Sequence, residues 1–400
     1  MRDFGGMIDR TPGEVLRPVS AREIADALRS ARTDVVARGC GHSTGGQPLT
    51  DGVVLDMRGL ASVHEVRDDR VTVDAGATWL ELLDATLPHG RTPPVLTDLL
   101  DLTVGGTLSA GGVGGASHIH GTQAANVLAL DVVTPDGEIV SCSPSRRAEL
   151  FDAVRAGMGR HGVITRATLR LIPAPERVLS CKVGCSSAAE LIQAQRRVRA
   201  DHISGQVKAS GYELKAVVYE GTSPPAGLDA ADVEELPYRD FADRMRPDVE
   251  ELKAIGEWDR PHPWATMILP AAHAAAFIET TMRATTPEDL GLSGVVLIKR
   301  FSPGWVPMLR APSDSVLFGL LRTASPGCRS AEDMAASNRE LHERARALGG
   351  VPYPPVPAPA VPAPAVPAPR PHTPRPSTPR PSTPRPPATR QAPGGPAPAT

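Results

Sequence analysis

Six glycines fall between residues 105 and 115, in the run Gly105-Gly106-Thr107-Leu108-Ser109-Ala110-Gly111-Gly112-Val113-Gly114-Gly115. Glycine loses more backbone freedom on folding than any other residue, so this density argues against a stable helix and for backbone that comes close to a bound group. A second glycine-bearing stretch, Arg38-Gly39-Cys40-Gly41-His42-Ser43-Thr44-Gly45-Gly46-Gln47, directly follows a short apolar run. Two such loops bracket one large anionic cofactor more naturally than two small sites. Tight turns inside a barrel-like subdomain are the purely structural alternative.

The earlier stretch admits three explanations. A dinucleotide fingerprint needs a third glycine where Thr44 stands, and a helix after it. Gly41-His42-Ser43-Thr44-Gly45 spells the G-x-S-x-G of a hydrolase nucleophile elbow with Ser43 as nucleophile. That elbow also requires a following helix, whereas the chain runs through Pro48 and Asp51-Gly52 into the strand-like Val53 to Met57. The third explanation is a loop whose backbone N–H groups face a pyrophosphate, small residues being needed because a Cβ would hold the anion away. A histidine inside such a loop, His42, is a candidate cofactor contact; a lone histidine elsewhere is ordinarily a hydrogen-bonding residue.

Around these loops the pattern is mixed. Ser20-Ala21-Arg22-Glu23 and Thr78-Trp79-Leu80-Glu81 are capping boxes that open helices. Short β-rich runs at 34–37, 53–57, 63–66 and 71–75 lie between them, and Pro135-Asp136-Gly137 predicts a hairpin joining 127–134 to 138–141. A helix is expected over 149–158 and a strand over 163–172. Pro173-Ala174-Pro175 then punctuates the chain and marks the expected domain boundary. Beyond it, strands at 178–183, 214–219, 264–269, 294–300 and 315–321 alternate with helices at 188–199, 271–282 and 331–348, which fits a second sheet with helices on one face. All four tyrosines and three of the four tryptophans lie after residue 176, so this half is the better equipped to stack on a planar ligand. The fold class expected is α+β, with domains at 1–176 and 177–350.

Residues 351–400 hold 20 of the 42 prolines, five of the 43 basic residues and no acidic residue. Pro-Ala repeats and Thr-Pro-Arg-Pro units offer nothing to bury, so a disordered tail with polyproline II character is expected there. The remainder is net acidic, which argues against nucleic acid as a partner. No apolar run is long enough to span a membrane, no signal-peptide core precedes Pro18, and the five cysteines are widely spaced; a cytoplasmic protein without disulfides or a bound metal is expected.

Four motifs in unbroken order carry a family resemblance. They are Gly41-His42-Ser43 with Gly46-Gln47; Asp98-x-Leu100-x-Leu102-Thr103-Val104-Gly105-Gly106-Thr107-Leu108-Ser109; His120-Gly121-x-Gln123-x-x-Asn126-Val127-Leu128; and His161-Gly162-Val163-Ile164-Thr165-Arg166-Ala167. Over residues 11–176 they resemble the FAD-binding domain of cytokinin dehydrogenases, flavoproteins of the p-cresol methylhydroxylase (PCMH) and vanillyl-alcohol oxidase fold. His262-Pro263-Trp264 and Lys299-Arg300-Phe301 resemble that family's substrate-capping domain.

The resemblance implies a PCMH-type two-subdomain FAD-binding domain followed by an antiparallel-sheet-plus-helices cap. It implies that Ala37, Arg38, Gly39, Cys40 and Gly41 wrap the FAD pyrophosphate, with His42 joined to the 8α carbon of the flavin. Ser43, Gln47, Thr103, Gly105, Gly106, Ser109, Val113 and Ile164 would line the cofactor. Asp98 falls on the family's active-site aspartate, next to the flavin, where burial is expected to raise its pKa toward the working pH; a helix N-cap is its structural alternative. The implied reaction takes hydride from the carbon beside an amine nitrogen, with oxygen or another acceptor receiving the electrons and the imine hydrolysing to aldehyde and amine.

Leu99 stands where the family commonly has tyrosine, and Arg300-Phe301 where it has Trp-Asp. The family's closing segment, ending in Pro-Gly-Gln, is expected where this chain turns proline-rich after Tyr353, so weak FAD binding or poor turnover is an expectation too. An alcohol or sugar oxidase of the same fold, a non-catalytic flavin-binding remnant, and a serine hydrolase using Ser43 are the competing functions.

Overall fold

The Ser20 hydroxyl accepts the Glu23 N–H at 3.3 Å and the Glu23 carboxylate accepts the Val19 N–H at 3.0 Å, which starts α1 (Ala21–Ser30) where the capping box predicts. The computed structural model describes residues 1–228 and 232–354, and these form one continuous body. Helix α1 packs beside a small parallel sheet of β1 (Glu14–Leu16), β2 (Val35–Arg38) and β3 (Val53–Asp56), with β3 in the middle. Ile24, Ala25, Leu55, Met57 and Val133 close a core between this unit and the next sheet.

That next sheet is antiparallel, in the order β4 (Val63–Val66), β5 (Arg70–Asp74), β9 (Val163–Arg170), β7 (Val127–Val133), β8 (Ile139–Cys142). After β5 the second capping box opens α2 (Trp79–Thr86), and β6 (Arg91–Thr92) follows. Next come α3 (Val104–Ala110) and α4 (Ser117–His120). Strands β7 (Val127–Val133) and β8 (Ile139–Cys142) form the hairpin expected around Pro135-Asp136-Gly137. Helix α5 (Ala148–Val154) ends before residue 158, where Ala156 and Met158 have φ near 55° and leave the helical region. Strand β9 (Val163–Arg170) completes the sheet, and β10 (Ile172–Pro173) pairs with β6.

Helix α3 corrects the expectation that the glycine run excludes a helix. Val104 and Leu108 are fully buried, and the N–H groups of Val104 and Gly105 bond the carbonyls of Ala77 (2.8 Å) and Ala75 (2.7 Å). A Cβ on Gly105 would lie 2.7 Å from the Ala75 Cβ. Tertiary packing therefore overrides the propensity penalty, and the glycine lets the helix lie against the β5 end.

The second half is an eight-stranded antiparallel sheet built from β11 (Arg177–Cys185), β12 (His202–Lys208), β13 (Gly211–Tyr219), β14 (Asp232–Pro237), β15 (Ala265–Pro270), β16 (Val295–Phe301), β17 (Ser315–Leu321) and β18 (Val351–Pro352). Its order is β14–β11–β13–β12–β16–β17–β15–β18. Three helices, α6 (Ala188–Arg197), α9 and α11, cover one face; α7 (Tyr238–Ala242) and α8 (Arg246–Ala254) follow β14, α9 (Ala271–Arg283) follows β15, α10 (Pro287–Leu290) precedes β16, and α11 (Ala331–Ala347) follows β17. Successive side chains alternate across the sheet. Met267, Leu269, Val296, Ile298, Val316 and Phe318 join the helix-side core, while Ile268, Phe301 and Leu317 join the core shared with the first half. The mixed α/β first half and antiparallel second half give the two-domain α+β class that the motifs imply.

The packed body passes residue 350. Strand β18 adds to the sheet edge beside β15, and the Tyr353 N–H bonds the Thr266 carbonyl at 2.9 Å. The tail expected from 351 falls outside the described residues from position 355 onward. All five cysteines are free, and among the described residues no helix is long and apolar enough to cross a membrane.

Candidate active site

Strand β2 ends at Arg38 and delivers the first glycine loop against the start of α3. A Cβ on Gly39 would lie 2.0 Å from Thr103 Oγ1, so only glycine lets the two segments touch here. Gly41 has φ of +74° and a Cβ there would strike the Arg38 guanidinium at 2.1 Å. Arg38 donates to the Arg2 carbonyl at 3.1 Å, yet its other terminal nitrogen, Nη1, is buried without a partner. An orphaned guanidinium nitrogen inside a glycine loop suits a pyrophosphate, and on that ground the residues fit FAD.

The rest of the loop is held from within and from the N-terminal segment. Gln47 Oε1 accepts the Gly45 N–H (3.0 Å), the Asp3 carboxylate accepts the Gly46 N–H (2.8 Å), and the Ser43 carbonyl accepts the Phe4 N–H (2.9 Å). No helix follows Ser43, and among the described residues its hydroxyl bonds no histidine, so the hydrolase elbow lacks both its context and its base. Cys40 is exposed.

His42 lies among aromatic rings from both halves. Its centroid is 3.8 Å from that of Phe4, 5.6 Å from Trp264 and 5.7 Å from Trp258, and Phe4 in turn stacks on His262 at 4.4 Å. Burial, helped by the nearby His262, pushes the His42 pKa down to about 3, so the imidazole is neutral at physiological pH. The sequence marked His42 and the His262-Pro263-Trp264 triplet; it gave no sign that Phe4 and Trp258 join them.

On the second segment, Thr103 takes the N-cap position of α3 without a side-chain cap bond and is buried, the Ser109 hydroxyl donates to the Gly105 carbonyl (2.8 Å), and Ile164 is buried in β9 opposite Val132. Beyond α3 the N–H groups of Gly112 and Val113 both donate to the Tyr353 hydroxyl, at 3.1 and 3.2 Å. Gly39 and Thr103 thus meet where the first loop reaches the start of α3, with Gly105 and Gly106 in its first turn, whereas Ser109 and Val113 sit at and just beyond the far end of the helix and Ile164 on the adjoining sheet.

Asp98 precedes this helix in an irregular segment, so the N-cap alternative does not hold. Its two carboxylate oxygens are taken by cations from the second half, Oδ1 by Arg244 and Oδ2 by Lys299. The Lys299 side chain is only 2% exposed and that of Asp98 28%. Burial alone would raise the Asp98 pKa, but Lys299 and Arg244 outweigh it and hold the carboxyl well below the usual range. The expected upward shift is therefore reversed, because the ion partners arrive from strands and turns more than 140 residues away. His202, on β12, lies beside this cluster with its Nε2 buried and unpartnered.

The histidines make a pH dependence. His42, His118, His120, His202, His262 and His342 all have pKa values below the ordinary 6.5, chiefly through burial. Below about pH 6.5 the unfolded chain takes up protons that the folded chain refuses, so stability falls as pH falls through that window, for His42 down to about 3. Thermal unfolding is expected to show a midpoint that declines steadily from pH 7 to pH 4. A midpoint constant between pH 7 and 5 would contradict the neutral state of these rings.

Comparison with known proteins converges on the same two halves. Residues 12–143 match the model described as FAD binding domain, and residues 229–348 match that described as cytokinin dehydrogenase 1, FAD and cytokinin binding. An uncharacterized oxidoreductase, ORF5 in the fasciation locus of Rhodococcoides fascians, is 41% identical over 381 residues, covering 88% of this chain and 86% of that protein. Cytokinin dehydrogenase 7 of Oryza sativa subsp. japonica is 33% identical over 398 residues (81% and 75%), and cytokinin dehydrogenase 10 of the same plant 32% over 428 residues (87% and 77%).

Proposed function

The chain belongs to the cytokinin dehydrogenase family of FAD-dependent oxidoreductases, and on that premise we propose that it oxidises the C–H bond beside an amine nitrogen. The observation that supports this reading most is Asp98, an ionised carboxylate at the meeting of the glycine-rich half with the capping sheet. Arg38 and the backbone of Ala37, Gly39, Cys40 and Gly41 would hold the pyrophosphate, with Ser43, Gln47, Thr103, Gly105, Gly106, Ser109, Val113 and Ile164 around the remainder of FAD. The neutral His42 ring keeps a nitrogen lone pair free, as a bond to the flavin 8α carbon requires. When bound, FAD supplies the two-electron acceptor for the substrate hydride.

Asp98 accepts a hydrogen bond or the proton from the substrate N–H as the hydride leaves the adjacent carbon, and an imine remains. Water adds to the imine carbon, the C–N bond breaks, and an aldehyde and a free amine are released. Oxygen or another acceptor completes the cycle. Because Lys299 and Arg244 already occupy both oxygens, the carboxylate is a weak base whose main service is orientation and charge.

Anaerobic mixing of flavin-loaded protein with secondary amines is expected to bleach the yellow colour and yield an aldehyde that hydrazine traps. Bleaching by alditols and not by amines would assign an alcohol or sugar oxidase instead. Flavin that no substrate bleaches would mark a non-catalytic remnant.

A further inference from the structure

Residues 2–9 close on themselves, with Arg2 bridged to Asp9 and the Asp3 N–H bonded to the Ile8 carbonyl at 3.3 Å. This short segment is wedged between the two halves. Toward the first glycine loop, the Phe4 N–H donates to the Ser43 carbonyl and the Asp3 carboxylate accepts the Gly46 N–H, so the segment grips the chain just after His42. Toward the cap, the Gly5 carbonyl accepts the His262 N–H at 2.8 Å. Both contacts are close enough to demand glycine: a Cβ on Gly5 would lie 2.7 Å from the Thr44 carbonyl oxygen, and one on Gly6 2.9 Å from the Pro261 Cα.

Hydrogen bonds do not hold the His42 ring. Among the described residues neither of its nitrogens has a partner, whereas His118 bonds the Gly115 and Ala200 carbonyls and His262 bonds the Trp258 carbonyl and the Thr323 hydroxyl. Such bonds ordinarily set the plane of an imidazole. For His42 only ring contacts remain: Phe4 lies against it at 3.8 Å with the planes inclined by 30°, and Trp264 and Trp258 stand farther off at 5.6 and 5.7 Å. Phe4 is itself held. His262 stacks on it at 4.4 Å with the planes 7° apart, and the two hydrogen bonds of His262 tie that ring to the cap. The series His262, Phe4, His42 thus carries the rigidity of the capping half into the glycine loop.

We propose that Phe4 is a positioning residue for flavin attachment: its ring, steadied by His262, sets the plane in which a His42 nitrogen meets the flavin 8α carbon. The role rests on the His42 bond put forward above. In forming that bond the nitrogen lone pair goes to the 8α carbon, a methyl C–H gives up its proton and leaves its electron pair on the flavin, and the imidazole loses its N–H proton. Dioxygen then removes the electron pair with two protons as hydrogen peroxide. A misplacement of about 1 Å at such a step costs on the order of 10²-fold, and a freely turning ring is misplaced most of the time.

Full chain produced without flavin in riboflavin-starved cells and mixed with FAD under air tests the role. Acid-stable flavin is followed over time, and FAD affinity is read from fluorescence quenching at the start. Phe4→Leu, apolar but without a flat face, is expected to bind FAD within about twofold of the unaltered affinity and to form the bond roughly tenfold to 10²-fold more slowly, while Phe4→Tyr, which keeps the face, restores the rate to within about threefold. Should Phe4→Leu not fold, His262→Leu removes the steadying ring and is expected to slow attachment about fivefold or more. Attachment at the unaltered rate in Phe4→Leu, or in His262→Leu where that variant stands in, overturns the proposal. So does a slowing that Phe4→Tyr shares in full, or one matched by an equal loss of FAD affinity. An unaltered chain that binds FAD and never yields acid-stable flavin refutes the His42 bond and this role together; slowed attachment in Phe4→Leu with no amine oxidised by the unaltered chain would sink the amine chemistry and leave the role standing.

Discussion

Replacing His42 with alanine is expected to give a protein that releases all its flavin on acid precipitation, where the unaltered chain yields a yellow pellet. The imidazole is the one group in the first loop with a neutral ring nitrogen and an enforced orientation, stacked 3.8 Å from Phe4 and kept unprotonated by its surroundings. Alanine removes the nucleophile while leaving the Arg38 guanidinium and the loop amides, so reversible FAD uptake should survive. Flavin fluorescence on a denaturing gel reads the outcome directly. A pellet that stays yellow in the variant would put the bond elsewhere, with Cys40 the next nucleophile in the loop.

Asp98→Asn is expected to lower kcat/KM by roughly 10²-fold, the cost of losing the charged acceptor that orients the substrate N–H, with flavin content unchanged. Lys299→Met should act differently. It strands a carboxylate whose partner was almost fully buried, and breaking such a pair costs about 3–5 kcal/mol, reduced here because Asp98 keeps partial solvent contact and Arg244. A lower thermal midpoint is expected for Lys299→Met, and the double variant Asp98→Asn/Lys299→Met should lose less stability than the sum of the two changes. Additive losses would mean that the pair does not act as a unit, and an Asp98→Asn enzyme of full activity would remove the carboxylate from the reaction.

What could be read from the sequence is what is local in the chain. Ser20 with Glu23 and Thr78 with Glu81 start helices through contacts three residues apart, and Pro135-Asp136-Gly137 closes its hairpin in the same way. The glycine loops were readable because a glycine's freedom is intrinsic. Helix α3 was not, since its stability comes from Val104, Leu108 and the carbonyls of Ala75 and Ala77. Asp98 could be picked out by its motif, but its ionisation could not: that depends on Arg244, in an unremarkable Arg-rich run, and on Lys299, whose Lys299-Arg300-Phe301 motif marks the capping domain without saying which carboxylate it meets. Nothing in the spacing of His202 announces an unsatisfied nitrogen; only the sheet's alternation, known once β12 is placed, sets its ring beside Asp98, Lys299 and Arg244.

The hydroxyl of Tyr353 fastens two amides that were made 240 positions earlier. During synthesis, then, Gly112 and Val113 leave the ribosome long before the phenol that will cap them, and until it arrives those donors face water or whatever else is at hand.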